Sequence, residues 1–245
     1  MRKELGELSD GVMNPSVLRE SVLGFAGQPR NPAPPTLVCV AGLEIRVAER
    51  GDTAQTAQML ARAFYDDPVF GWFFPAEGSR HQRLRRFFVT ELHHESLRHG
   101  AVEVACVDGR VAGAAVWLPP GTPLGTEGSA LPGYLRAFSR RLAVVWRYQS
   151  VAVSAHPRKE PHWYLAFIGV DPVRQGCGVG AALLRSRLQR CDQVGLPAYL
   201  ESSKLENVPL YQHFGFHVAA TLGLPEGAPV VNTMWRPGGL RDDAG

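Results

Sequence analysis

A chain of 245 residues is long enough to bury a full core in one domain. Its net charge of +3, with no dense basic block, argues against a nucleic-acid partner and suits a small anionic ligand. Four cysteines, Cys39, Cys106, Cys177 and Cys191, show no C-x-x-C spacing, which excludes a disulfide framework and a cysteine zinc site and points to a reducing, cytoplasmic setting.

Residues 1–42 are poor in aromatics and end in a proline-rich run from Gln28 to Pro35. They lack the basic-then-apolar order of a signal peptide, and a flexible extension is expected there. No apolar run in the chain approaches bilayer length, so no membrane partner is expected. The folded domain is expected over 43–237, with a polar Gly-rich tail at 238–245.

Leu43–Val47 alternates like a strand. Asp52 or Thr53 can cap a helix that turns Ala57, Leu60, Ala61 and Phe64 inward, and Tyr65-Asp66-Asp67-Pro68 breaks it. Val69–Pro75 is an aromatic loop or short helix. Ser79 is placed to cap a basic helix from Arg80 to Arg98, with Leu84, Phe87, Phe88 and Leu92 marking its turns. Its arginines read as a solvated face. His94-Glu95-x-x-Arg98 misses the H-E-x-x-H pattern and His99 falls at the wrong offset, so no metal site is expected. Ala101–Val107 and Arg110–Leu118 flank Asp108-Gly109 and predict a hairpin. After a Pro/Gly loop from Pro119 to Gly128, Leu131 to Val151 reads as one long helix.

The most informative stretch is His162–Ala182. Trp163–Val170 is apolar and aromatic throughout, as in a strand buried on both faces. Asp171-Pro172 ends it, since proline has no N–H for a ladder. Gln175-Gly-Cys-Gly-Val-Gly180 then opens a helix with Val179, Leu183, Leu184, Leu188 and Cys191 on its apolar face, ending at Gly195. The first N–H groups of a helix have no internal partner, and its dipole adds positive charge there. Glycines let a bulky anion approach, and Arg174 adds a full charge, so the turn suits a phosphate or diphosphate.

The Walker A pattern fails, because no Lys-Ser or Lys-Thr follows the glycines. Gly176, Gly178 and Ala181 satisfy the dinucleotide pattern G-x-G-x-x-A, with Glu201 at the acidic position. Against that reading, Asp171 to Gln175 separate the strand from the first glycine, and too little chain follows for further βα units. Downstream, Ala198–Ser202 reads as a strand. Asn207 caps a short helix with Pro209 in its first turn and Gly215 after it, and Val218–Leu222 and Val230–Trp235 read as closing strands.

In this order, Val170-Asp-Pro-x-x-Gln175-x-x-Gly178-x-Gly180-Ala181, the strand at 198–202 and Asn207-x-x-Leu210-Tyr211-x-x-Phe214-Gly215-Phe216 resemble the GNAT superfamily of acyl-CoA-dependent N-acyltransferases. The pattern spans 43–237 and is strongest over 157–218. Lys159-Glu-Pro161-x-Trp163 and Pro225-Glu-Gly227 are similar to the small-molecule branch that includes puromycin N-acetyltransferase.

The resemblance implies an α/β fold, with a mixed, mostly antiparallel sheet flanked by helices and a central pair of splayed strands. It implies acetyl-CoA as cosubstrate, a small-molecule primary amine as acceptor and direct transfer between them. Arg174, Gln175, Gly176, Cys177, Gly178, Val179, Gly180 and Ala181 would hold the diphosphate. Ile168, Gly169 and Val170 would pair with the pantetheine amides, and the Val170 N–H would face the thioester oxygen. Asn207 matches a position that contacts the pantetheine arm, and Tyr211 the position of the general acid. Some relatives carry a basic carboxylate on the central strand, where Trp163–Val170 has none. Glu201 is then the candidate base, through water or by holding the ammonium, with a structural acid as the equal alternative; His162 is a second candidate. Cys177 lies at a helix start, but on the phosphate loop, away from a thioester. Asp66, Asp67 and Trp72 would meet a cationic, ring-bearing amine, or serve as turn acids and a core aromatic. The helix from Leu131 would wall the acceptor pocket, or only pack on the core. The alternatives to small-molecule acetylation are a peptide or protein acceptor, a non-catalytic acyl-CoA-binding module and a dinucleotide oxidoreductase.

Overall fold

The computed structural model describes residues 42–124, 128–224 and 227–239. They fall in one unit, Val38–Gly245. The expected N-terminal extension and most of the C-terminal tail lie outside the described residues, as do Pro225 and Glu226.

The strands are β1 (Glu44–Val47), β2 (Val102–Val107), β3 (Arg110–Leu118), β4 (Trp163–Val170), β5 (Ala198–Ser202), β6 (His217–Thr221) and β7 (Asn232–Arg236). They form one seven-stranded sheet in the order β1-β2-β3-β4-β5-β7-β6. Every pairing is antiparallel except β4 with β5. The hairpin turns at Asp108 and Gly109, both at positive φ, as a two-residue turn requires.

Helices cover both faces. On one lie α1 (Thr53–Ala63), α2 (Pro68–Phe73), α3 (Glu77–Thr90), α4 (Leu131–Phe138) and α5 (Leu142–Ala155), over a core that includes Leu60, Phe70, Phe87 and Phe88. On the other, α6 (Val179–Gln193) and α7 (Val208–His213) bury Leu183, Leu184, Tyr211 and Met234 with Trp117. The residues read as the apolar face of α6 are all buried. Arg187 is buried with them, paired with the buried Glu103 of β2 at 2.9 Å, its guanidinium 4.6 Å from the Trp163 ring.

Several expectations need correction. Asp52 does not cap α1; its carboxylate accepts from Arg46 at 2.7 and 2.8 Å and from the Glu49 N–H. The basic helix starts at Glu77, so Ser79 lies inside its first turn, and its α-geometry ends at Thr90. A π-helical turn, Glu91–Ser96, follows, where Glu91 accepts from Ser96 Oγ at 2.8 Å and from Tyr134 Oη at 2.7 Å. These tertiary bonds outweigh regular helix. The long helix after Gly128 is two helices, broken at Ser139 with φ 50°. The break lets Phe138 stack on Phe74 at 5.2 Å while Arg141 donates to the Trp72 carbonyl at 2.8 Å. The last strand is Asn232–Arg236, and β6 is exposed along its length at the sheet edge.

Candidate active site

The strand β4 was expected to be buried on both faces, yet only Leu165 and Gly169 are. The rest is only partly buried, and past Leu165 β4 loses its neighbour on the β5 side. It pairs with β5 only at Trp163–Ala198, Tyr164–Tyr199 and Leu165–Leu200. Beyond Leu165 the two strands diverge, and a cleft of about 430 Å³ opens between them. On the β3 side, Val116 faces Phe167 and Trp117 faces Leu165, so Ala166 is an extra residue in β4. Such a bulge re-aims the backbone and side chains after it. Before it, Trp163 and Leu165 pack toward α6 and α7; after it, Ile168 and Val170 do.

Two close approaches narrow this region. A Cβ on Gly169 would lie 2.9 Å from Leu60 Cδ2 and 3.0 Å from Ala63 Cβ, so α1 rests on bare backbone of β4. A Cβ on Gly113 would meet Val179 Cγ1 at 2.8 Å, so the start of α6 rests on β3 in the same way.

The turn from β4 to α6 is held at its root. Asp171 caps the 3₁₀ turn Pro172–Arg174 and pairs with Arg62 of α1. Gly176 and Gly178 take φ values of 76° and 79°, and a Cβ on either would meet nothing within 4 Å. The Gly178 carbonyl accepts the first bond of α6 from Ala182 N at 2.9 Å. Among the described residues, the N–H groups of Gly178, Val179, Gly180 and Ala181 have no backbone acceptor. They are the orphan donors of the helix start, bare at the cleft, and fit an anion.

The structure brings nearly all the expected binding residues to this cleft. Ile168, Gly169 and Val170 line it from β4; Arg174, Gln175, Gly176, Gly178, Val179, Gly180 and Ala181 from the turn; and Asn207 from the start of α7. Cys177 is the exception: its side chain is buried in the core under α6 and does not line the cleft. Asn207 holds the N-cap position of α7 but makes no side-chain capping bond.

The strand register sets which N–H groups of β4 face the cleft. Asp171 N–H donates to the Ala112 carbonyl at 2.8 Å, so by strand alternation the Val170 N–H faces the cleft-side edge. Glu201, however, follows Leu200 and is level with Ala166. Val170 lies four residues further on, roughly 13 Å at strand rise. The backbone level with Glu201 is that of the Ala166 bulge, and by the same alternation the cleft-facing N–H groups beyond it are those of Ile168 and Val170.

Tyr211 and Glu201 both line the cleft, one from α7 and one from β5. Tyr211 is buried, its ring 6.2 Å from that of Phe216. Burial, with the Asp67 carboxylate nearby, pushes its phenol well above the ordinary range, so it carries its proton at neutral pH. Burial also pushes the Glu201 carboxyl up, against a hydrogen bond donated by Tyr199 Oη at 3.1 Å and the nearby Tyr164 phenol.

Three further candidates are placed differently. Asp67 lines the cleft, but its carboxylate caps α2, accepting from Val69 N at 3.0 Å, Phe70 N at 3.1 Å and Ser203 Oγ. It is the turn acid of the two readings. Asp66 lines an adjoining open recess with Lys204 and Glu206, and Trp72 packs on Phe73 and Arg141. His162 is not in the cleft. Its Nδ1–H donates to the Glu160 carbonyl at 2.7 Å, and its Nε2 meets His156 Nε2 at 2.9 Å, which removes it as a candidate base. Sequence reasoning missed Phe64, Ser203 and Lys204 as cleft residues, and Tyr164 and Tyr199 as partners of Glu201. Only the strand register could have joined the two tyrosines.

A mixed sheet splayed at its parallel pair, with a glycine-opened helix at the mouth of the split, defines the acyl-CoA N-acyltransferase fold. The sequence profile of the Acetyltransferase (GNAT) family matches residues 58–216. An uncharacterized N-acetyltransferase of Schizosaccharomyces pombe is 30% identical over 181 residues, 69% of this chain and 72% of the yeast protein. The crystal structure of a histone acetyltransferase HPA2 and related acetyltransferase from Corynebacterium glutamicum superposes with a TM-score of 0.65 at 25% identity, over 82% of this chain and 98% of that one. A polyamine N-acetyltransferase of Drosophila melanogaster shares the fold, with a TM-score of 0.54 at 17% identity over 80% of this chain and 99% of its own. The chain belongs to the GNAT family of acetyltransferases and is an N-acyltransferase. Among the described residues, no helix is long and apolar enough to cross a membrane.

Proposed function

We propose that this enzyme transfers the acetyl group of acetyl-CoA directly to the primary amine of a small molecule. The observation that carries this reading is that Tyr211 and Glu201 open onto one cleft whose mouth is the glycine turn. Acetyl-CoA supplies the activated thioester. Gly178–Ala181 offer free N–H groups and Arg174 a positive charge to its diphosphate, while Asn207 and the unpaired edge of β4 are free to bond the pantetheine amides. The N–H groups of Ile168 and Val170, which by strand alternation face away from β3, are the cleft-side donors that would polarise the acyl oxygen and bond the pantetheine arm.

Glu201 takes a proton from the incoming ammonium, directly or through water, so that the amine attacks as a neutral nucleophile. As the C–S bond breaks, Tyr211 gives its proton to the departing thiolate, and it is reprotonated by the proton that the nitrogen sheds on becoming an amide. A positioned proton donor is worth about 10²–10⁴-fold in rate, or roughly 3–5 kcal/mol of barrier. Phe64, Phe167 and Leu165 beside Glu201 suit an amine carried on an apolar body. The free, buried Cys106, Cys177 and Cys191 support a cytoplasmic setting.

The test is to screen primary amines with acetyl-CoA for release of free thiol. Turnover of one or more small amines, abolished by Glu201→Gln, supports the reading. Tight acetyl-CoA binding with turnover of peptide amines alone would overturn the small-molecule assignment.

A further inference from the structure

Glu201 is held by a structure of its own behind the cleft. Tyr164 of β4 and Tyr199 of β5 are directly paired across the parallel strands, their rings 5.6 Å apart. Tyr199 Oη donates to Glu201 Oε1 at 3.1 Å, and the Tyr164 phenol beside it also favours the ionised form of that carboxyl. Neither tyrosine lines the cleft.

Both rings are fixed from behind. His156, at the end of α5, meets the Tyr199 ring edge-on at 4.8 Å and the Tyr164 ring at 5.0 Å. His162 meets Tyr199 at 5.7 Å and Trp235 at 5.2 Å. Since the Glu160 carbonyl can only accept, His162 Nδ1 carries the proton, and its Nε2 accepts from the Nε2–H of His156. Burial beside His162 pushes His156 down to about 4, so it stays neutral in this role at neutral pH. A half-buried carboxylate thus has two phenols on its inner side, one of them hydrogen-bonded to it, and the cleft on its outer side.

We propose that Tyr164 and Tyr199 are positioning residues, which aim the Glu201 carboxylate into the cleft and set the pH above which it can accept a proton from the acceptor ammonium. This rests on the reading of Glu201 as the base. The proton passes from the ammonium nitrogen to a Glu201 oxygen and returns to solvent after turnover. Both phenols keep their protons, as their own upward displacement by burial and by Glu201 requires.

The other groups around the carboxylate leave this role to the phenols. Tyr148 of α5 faces both Glu201 and Asp67, and burial keeps it protonated. Glu91 lies behind Tyr164. Lys204 acts on Asp67, and Asp67 in turn on Tyr211. Among the described residues, only Tyr199 and Tyr164 offset the burial of Glu201. A donor to the ionised form favours ionisation, so losing one moves the carboxyl further up.

The experiment is the pH profile of kcat/KM, with an amine found by thiol release, for wild type, Tyr199→Phe, Tyr164→Phe, the double variant and Glu201→Gln. Each phenylalanine variant keeps its ring, and acetyl-CoA-induced thermal shifts report whether it folds and binds. The acidic limb is expected to move to higher pH by about one unit for each phenol removed. The high-pH plateau is expected to stay within about threefold of wild type, which a merely structural role would not produce. An unmoved limb in the folded double variant, together with loss of the limb in Glu201→Gln, overturns the positioning role alone. A wild-type profile in Glu201→Gln overturns the base assignment, and the positioning role with it.

Discussion

Tyr211→Phe isolates one proton. The ring of Tyr211 is buried against Phe216 in the core under α6 and α7, and phenylalanine preserves that packing. The cost to folding is therefore confined to the hydroxyl, about 1 kcal/mol or less. The cost to catalysis is larger. Burial and Asp67 hold the phenol protonated throughout the neutral range, so wild type always has a proton for the leaving sulfur. Removing a placed donor is expected to lower kcat by about 10²–10⁴-fold, or roughly 3–5 kcal/mol of barrier. Cofactor affinity is expected to change little, because the anion-binding turn is formed by other residues. The assay is thiol release for kcat and calorimetry for the acetyl-CoA Kd. A kcat within about threefold of wild type, or a Kd that weakens as much as the rate, would refute the assignment.

Gly169→Ala places a methyl group 2.9 Å from Leu60 and 3.0 Å from the Ala63 Cβ, which cannot rotate away, so α1 must shift. Overpacking of this kind costs about 1–3 kcal/mol, a fall of several degrees in Tm for a domain of this size; Gly180→Ala, whose nearest contact would be Val170 Cγ2 at 3.5 Å, is expected to melt near wild type. Glu103→Gln leaves the Arg187 guanidinium charged and buried without its anion, and urea unfolding is expected to show a loss of roughly 3–5 kcal/mol. A loss below about 1 kcal/mol would mean that the pair is not holding α6 to β2. Burial raises the Glu201 carboxyl, so the folded chain binds this proton more tightly than the unfolded chain does. Its contribution is full below the ordinary carboxylate range and is lost as pH rises through the raised value. Glu201→Gln is therefore expected to be more stable than wild type near pH 8, with the gap closing toward pH 4, by thermal melting across that range.

Most strands were legible because each is a short apolar run between turn residues, and β3 and β4 match their expected bounds. The glycine turn was legible because Gly176, Gly178 and Gly180 make poor helix and good anion cradle. The rest depended on long-range partners. One extra residue in an apolar run, Ala166, leaves no mark in the sequence, yet it decides which N–H groups of β4 face the cleft. The π-helical turn at Glu91 carries one bond within the turn, from Ser96, and one from Tyr134 of α4, which no local pattern announces. Arg187 reads as one more solvated arginine of α6 until β2 brings Glu103 beneath it. The tyrosines behind Glu201 look like ordinary strand aromatics until the parallel register sets them side by side.

The central claim is that the bare N–H groups at the start of α6 grip the diphosphate of coenzyme A. It is tested most directly by calorimetry of acetyl-CoA and of acetyl-pantetheine, which lacks the diphosphate, against wild type and Gly180→Val. The account predicts that wild type binds acetyl-CoA far more tightly than acetyl-pantetheine, and that the valine, set where the anion must approach, removes most of that difference. Equal affinity of the wild-type chain for both compounds would contradict it.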